Sequence, residues 1–355
     1  MRVFEYHGQP TSGMLRMKCS GTPHEIGLRH GSEAKLQIAR CINFYARLFK
    51  ESAKKEWSEV RELAMAFEPS ISKNWPAYLE EMRGIAEGAQ VRLPDIIAIN
   101  VRTEITFGLF SDGCTALSWR TDEASFLAQN WDWMEAQKEN LVALTIAQPA
   151  KPTIKMITEA GLIGKIGLNS AGVGVCLNAI KAKGMDPSRI PCHLGLRMVL
   201  ESSSREDAVR KLESYGVASS CHMLVADAQG GTGLEWSSRD LRKVEMNPSK
   251  QVFHTNHYLA EHQKGVIDTV WLKDSLVRIV RIEELCKKVG VSPTMEELAE
   301  MFKDEKGFPT SICRNEKGGS ATGTLFNIVM DLKAKKAAVT LGRPVEPEQY
   351  FELGF

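Results

Sequence analysis

Asp112-Gly113-Cys114-Thr115-Ala116-Leu117-Ser118-Trp119 marks the place where this 355-residue chain changes texture. Before it, apolar residues recur at helical spacing. After it, short runs of strand character follow one another between turn residues. Gly113 lacks a Cβ, so the backbone before the cysteine can adopt bends closed to other residues. A thiol so placed can attack the Gly113 carbonyl in an N-to-S acyl shift, and hydrolysis of the thioester then divides the chain between Gly113 and Cys114. The product is a cysteine carrying its own α-amino group, whose reference pKa of about 7.7–8.0 suits it to act as the thiol's base. The plainer reading is a cysteine at a turn entering a strand, and the four residues Asp112 to Thr115 alone favour it.

Two downstream motifs bear on the choice. Runs 115–119 and 126–131 read as a hairpin around a loop at 120–124, which returns Gln129-Asn130-Trp131-Asp132 towards the thiol, Asp132 standing 18 residues after Cys114. A carboxylate at Asp132 can orient an ammonium or a substrate amine, and Asn130 can donate hydrogen bonds; ordinary turn capping is the alternative. His254-Thr255-Asn256-His257 ends a later strand. Its two histidines, even with His262 nearby, lack a convincingly spaced third ligand, so no metal or other cofactor is expected. Asn256 is the better candidate, as an oxyanion-hole donor, with His254 and His257 supporting the strand end. Cys192-His193 and Cys221-His222 are adjacent in sequence and diverge, so neither makes a dyad. Phosphate-loop and Gly-x-Ser-x-Gly patterns are missing.

Composition limits the partners. The 45 basic and 44 acidic side chains leave a net charge of +1, which argues against general attraction to nucleic acid or anionic membrane. The first residues have no apolar core of a secretory signal, and no uncharged run suits a membrane span, so a cytoplasmic protein is expected. Eight scattered cysteines without a Cys-x-x-Cys pair then read as thiols, mostly small buried apolar residues. Helices are expected from Ser32, from Pro76, from Pro94 to about Glu104, and over 193–201, 205–215, 271–288 and 295–302. Strands are expected at 141–147, 153–158, 164–168 and 173–177, then 221–226, 233–236, 241–245 and 252–255, with 324–331 and 337–341 closing the chain. This order favours layered, largely antiparallel sheets flanked by helices in one domain.

With these residues in view the chain resembles the isopenicillin N acyltransferase family, a cysteine-type group of N-terminal nucleophile hydrolases. Gly21-Thr22-Pro23-His24-Glu25-Ile26-Gly27, Asp112-Gly113-Cys114-Thr115, Gln129-Asn130-Trp131-Asp132 and His254-Thr255-Asn256-His257 carry the resemblance. So do Ser311-Ile312-Cys313-Arg314, Thr324-Leu325-Phe326-Asn327 and Leu341-Gly342-Arg343-Pro344, all in the family's order. The resemblance implies an α+β, four-layer αββα sandwich, cut into a mostly helical α chain (1–113) and a β chain (114–355) that stay together as a heterodimer. It implies Cys114 as nucleophile through an acyl-thioester, Asn256 in the oxyanion hole, and Asp132, with Asn130 and Ser320, at the substrate. An acyl-CoA or N-acyl amide would acylate the thiol, and an amine such as 6-aminopenicillanic acid, or water in an amidohydrolase, would take the acyl group. An uncleaved, non-catalytic member is the third reading. The chain departs from the family pattern in three places. Ser320-Ala321 stands where the family has serine followed by a substrate-holding arginine, Ala116 replaces a threonine, and the peroxisomal C-terminal tripeptide is absent.

Overall fold

The computed structural model describes residues 13–106, 113–268 and 272–355. It begins with an edge strand, β1 (Leu15–Ser20), and a helical run: α1 (Pro23–Glu33), α2 (Lys35–Ala53), α3 (Trp57–Met65), α4 (Glu68–Asn74), α5 (Pro76–Ala89), α6 (Leu93–Asn100) and α7 (Arg102–Thr106). Thr22 caps α1: its hydroxyl accepts the Glu25 N–H while the Glu25 carboxylate accepts the Thr22 N–H. The helix expected to start at Ser32 is α2, which begins at Lys35 and follows the unexpected α1. Ser32 lies inside α1, where its hydroxyl donates to the Leu28 carbonyl rather than capping. The helix expected over 94–104 breaks at Val101 into α6 and α7.

Four glycines let α1 and α5 touch backbone to backbone. A Cβ on Gly27 would fall 1.9 Å from the Glu81 carbonyl oxygen, and one on Gly84 would fall 2.2 Å from that of His24. Gly31 and Gly88 meet the opposite backbone in the same way.

Beyond Gly113 come β2 (Thr115–Arg120), β3 (Ser125–Trp133), β4 (Leu141–Ala147), β5 (Ile154–Glu159), β6 (Ile166–Asn169) and β7 (Gly174–Ala179), then α8 (Cys192–Leu200) and α9 (Arg205–Tyr215). There follow β8 (Cys221–Asp227), β9 (Gly230–Trp236), β10 (Leu241–Val244), β11 (Gln251–His254), α10 (Asp274–Val289), α11 (Met295–Met301), β12 (Gly323–Asp331), β13 (Lys336–Arg343) and β14 (Glu346–Gly354). Trp271, expected to open α10, lies outside the described residues. The unexpected β14 is an edge strand in which only Phe351 is buried, so it carries almost no apolar alternation to read.

One sheet runs β1-β4-β5-β6-β7-β8-β9-β10, sequential and antiparallel from β4 onward, with β1 added in parallel. The other runs β11-β2-β3-β12-β13-β14. β2 and β3 face β7 and β9 across the interior, α8 and α9 cover the first sheet, and α10 and α11 cover the second, which gives four layers, αββα. Alternation along the strands divides the core. Leu117, Trp119, Phe126 and Ala128 pack beneath α10 and α11, whereas Cys114, Ala116, Leu127 and Trp131 belong to the larger cluster that includes the inter-sheet space. No helix of the described residues is long and apolar enough to cross a membrane.

Register places the chemistry. Thr115 pairs with Asn130 in the hairpin, so Asp132 comes back past Cys114. His254 pairs with Ala116 across β11 and β2, so Asn256, two residues further on, arrives beside Cys114, two residues back. Thr324 pairs with Asp132 across β12 and β3.

Candidate active site

Cys114 is fully buried at the mouth of β2. Its N–H donates to Asn256 Oδ1 at 2.9 Å. Arg278, from α10, reaches the same spot: Nη1 donates to the Cys114 carbonyl (2.7 Å) and to Thr115 Oγ1 (3.0 Å), and Nη2 donates to Asn256 Oδ1 (2.8 Å). A guanidinium only donates, so the amide of Asn256 must present oxygen to it. That fixes Nδ2 at the other end, where it donates to the Ala179 carbonyl at 3.1 Å. The Asn256 backbone N–H donates to Ser275 Oγ (2.7 Å), and Thr255 Oγ1 donates to the Ser275 carbonyl (3.0 Å), which ties the turn to α10.

Asp132 lies on β3, the strand that neighbours β2. Its Oδ1 accepts from Thr324 Oγ1 at 2.7 Å, and that hydroxyl in turn accepts the Arg314 N–H at 3.0 Å. Oδ2 lies 3.4 Å from Arg314 Nε but has no hydrogen-bond partner among the described residues. Burial pushes the carboxyl up to about 7, against the pull of Arg314, Arg278 and Thr324. Asp274 joins the two arginines, accepting from Arg278 Nε (2.8 Å) and from Arg314 Nη2. Two arginines and two aspartates thus balance in a buried site, where unpaired charge is costly.

Arg314 also explains the glycine before the nucleophile. A Cβ on Gly113 would stand 2.6 Å from Arg314 Nε and 2.8 Å from its Cζ. Close approach of a guanidinium is thus a second demand on this position, beside the backbone freedom read from the sequence.

Five of the other seven cysteines make poor competitors. Burial pushes the thiols of Cys19, Cys41 and Cys286 up to about 12 and Cys313 to about 11, and raises Cys176 as well. Such thiols carry almost no thiolate near neutral pH.

The structure brings together Gly113, Cys114, Asp132 and Asn256 from the sequence reading. Ser320 lies beside them, accepting from Arg314 Nη1 (3.2 Å) and donating to the Thr322 carbonyl (2.7 Å). Asn130 sits differently. Its Nδ2 donates to the carbonyls of Phe302 and Ile312 (2.9 Å each), and its Oδ1 accepts from Asn327 Nδ2 (2.8 Å). Both amide hydrogens are spent on holding α11 and its following loop to the sheet. His254 and His257 sit behind Asn256, the latter with Nδ1 2.7 Å from Ser275 Oγ. Sequence reading missed Arg278, Asp274 and Ser275. A signal existed: Ser275, Arg278, Ile282 and Cys286 form one helical stripe, and a cation on an otherwise buried stripe needs a partner.

A cysteine that opens a strand in one of two facing antiparallel sheets, between outer helical layers, defines an N-terminal nucleophile hydrolase fold. The chain belongs to the acyl-coenzyme A:6-aminopenicillanic acid acyl-transferase family, whose model matches residues 119–346. It is 44% identical over 346 residues, 96% of each chain, to the acyl-coenzyme A:6-aminopenicillanic-acid-acyltransferase 40 kDa form of Emericella nidulans. Among solved structures, a mutant of conjugated bile acid hydrolase from Clostridium perfringens matches with TM-score 0.50 and 14% identity, over 68% of this chain and 92% of that one. Penicillin V acylase from Agrobacterium tumefaciens gives TM-score 0.45 and 15% identity, over 68% of this chain and 86% of that one. The likeness to the bile acid hydrolase is one of fold. The chain is an enzyme of the acyl-transferring family.

Proposed function

We propose that the chain cuts itself between Gly113 and Cys114 and then carries acyl groups, as a Cys114 thioester, from an acyl-CoA or N-acyl amide to an amine. The observation that carries this is the convergence on Cys114. Its N–H is held by Asn256 Oδ1, the donor end of that amide lies beyond, and Asp132, with an under-bonded oxygen, lies on the neighbouring strand.

In processing, Cys114 Sγ attacks the Gly113 carbonyl carbon, the peptide C–N bond breaks, and the nitrogen takes the thiol proton. Water then hydrolyses the thioester, leaving a Gly113 carboxylate and a Cys114 α-amine. In turnover that amine takes the thiol proton. Sγ attacks the acyl carbonyl, and the oxyanion is met by Asn256 Nδ2. CoA leaves as its thiol, protonated from the α-ammonium. An incoming amine repeats the sequence in reverse, its own proton passing through the Cys114 nitrogen to Sγ. Asp132 orients whichever ammonium is present, and Arg314 and Arg278 keep the carboxylate from being stranded. Residues 1–113 and 114–355 would stay together, because β1 pairs with β4 inside one sheet and Asn100 bonds Gly161 and Ile163 across the cut.

Incubation with phenylacetyl-CoA and 6-aminopenicillanic acid tests the transfer. Release of CoA matched by an acylated amine supports it. Release of free acid alone makes water the acceptor, and no release in either this mixture or an N-acyl amide removes the enzymatic reading.

A further inference from the structure

Glu235, in β9, lies outside the site described above, yet both of its oxygens point at the turn that carries Asn256. It is fully buried. Before the turn, His254 Nε2 lies 2.9 Å from its Oε1. After the turn, the Leu259 N–H donates to Oε1 (2.6 Å) and the Ala260 N–H to Oε2 (3.0 Å). One carboxylate therefore closes residues 254–260 into a ring with Asn256 at its crest.

An ionised carboxylate, which only accepts, suits the two backbone N–H groups, one on each oxygen. The His254 hydrogen bond and charge and the two backbone donors together outweigh burial and hold Glu235 below the usual carboxylate range. His254 is fixed on its other sides. Its Nδ1 lies 2.8 Å from the Thr255 carbonyl oxygen, and its ring stacks on His222 with centroids 3.4 Å apart and planes 11° from parallel. Because β9 and β11 belong to different sheets, the carboxylate also ties one sheet to the other directly behind the nucleophile.

We propose that Glu235 is a positioning residue for acyl transfer, acting through Asn256: it sets the height of the 254–260 turn and hence the distance from Asn256 Nδ2 to the acyl oxygen. This rests on the acyl-transfer reading above. Arg278 turns the Asn256 amide the right way round, while Glu235 places the backbone from which that amide hangs. Glutamine is the informative replacement. It keeps the volume of the side chain but brings an NH2 group to a place where two backbone N–H groups already point, one at each oxygen, so one of them loses its acceptor.

The test is a double-mutant cycle on release of CoA from phenylacetyl-CoA, with hydrogen exchange as a second readout. Loss of an oxyanion donor costs about 10²–10³ in rate, so displacement of that donor in Glu235→Gln is expected to lower kcat roughly tenfold to a hundredfold, with KM within about twofold. In an Asn256→Ala background the same change should cost less than about twofold, because the group it acts through is gone. Amide exchange should quicken in peptides spanning 254–260 and stay as in wild type over the strands of the first sheet. Equal losses of kcat in both backgrounds, or unchanged exchange at Leu259 and Ala260, would overturn the proposal. If wild-type protein releases no CoA, the acyl-transfer reading fails on its own account, and the exchange result still decides whether Glu235 holds the turn.

Discussion

At the scale of single residues, donor and acceptor chemistry decides what each group near Cys114 can do. Three of the four hydrogen bonds that Arg278 makes bear on the nucleophile strand or on Asn256. Arg278→Met leaves the Asn256 amide able to rotate and should lower kcat by about two orders of magnitude, the size of effect seen when an oxyanion donor is lost. Arg278→Lys, with charge but no fork, should recover part of it. Gly113→Ala should slow chain cleavage, because the new methyl collides with Arg314, and a time course on a denaturing gel measures this. Asp132 gives a pH signature. Below about pH 4 its carboxyl is protonated whether the chain is folded or not. Above that, the unfolded carboxyl ionises while the folded one holds its proton up to about 7, so its contribution to stability falls across this window and is level beyond it. Thermal unfolding of Asp132→Asn against wild type should show the variant gaining Tm relative to wild type from pH 4 to 7. A constant difference would contradict the burial argument. The convergence of Cys114, Asp132 and Asn256 was legible in sequence because a change from helical to strand texture, a hairpin and a strand end mark them locally. Arg278 was not read, because the partners that place it at the site, Asn256 and Cys114, lie 22 and 164 residues away.

Among the elements, what the sequence showed best were those with strong local signals. The strand at 141–147 and the helix at 205–215 have the expected bounds. The helix opens at Ser204, whose hydroxyl accepts the Asp207 N–H. Where two local signals competed, the earlier one set the boundary. Ser32 looks like a cap, but α1 had already begun at the Thr22 capping box. The α1–α5 contact was missed because its evidence is an absence of side chains: Gly27, Gly31, Gly84 and Gly88 are poor helix formers kept for close approach. Gly84→Leu should therefore destabilise the fold by at least about 1–3 kcal/mol, despite the gain in helix propensity, as measured by urea unfolding. A stabilised variant would mean that the two helices can separate at little cost.

For the whole molecule, the two segments on either side of Gly113 share one sheet and one core, so the proposed scission is expected to leave the fold intact. The layered class was legible from the order of helices and strands. The two facing sheets of the αββα sandwich were implied by the family resemblance, but which strand joins which sheet was not legible, because strand periodicity reports which residues are buried and not their neighbours. The central claim is that Cys114 becomes a chain terminus. Intact mass measurement and N-terminal sequencing of purified wild-type protein test it most directly. The account predicts two co-purifying fragments that part only in denaturant, the larger beginning at Cys114, and a Cys114→Ala chain that stays whole. Folded wild-type protein that transfers acyl groups while its Gly113–Cys114 bond is intact would contradict it.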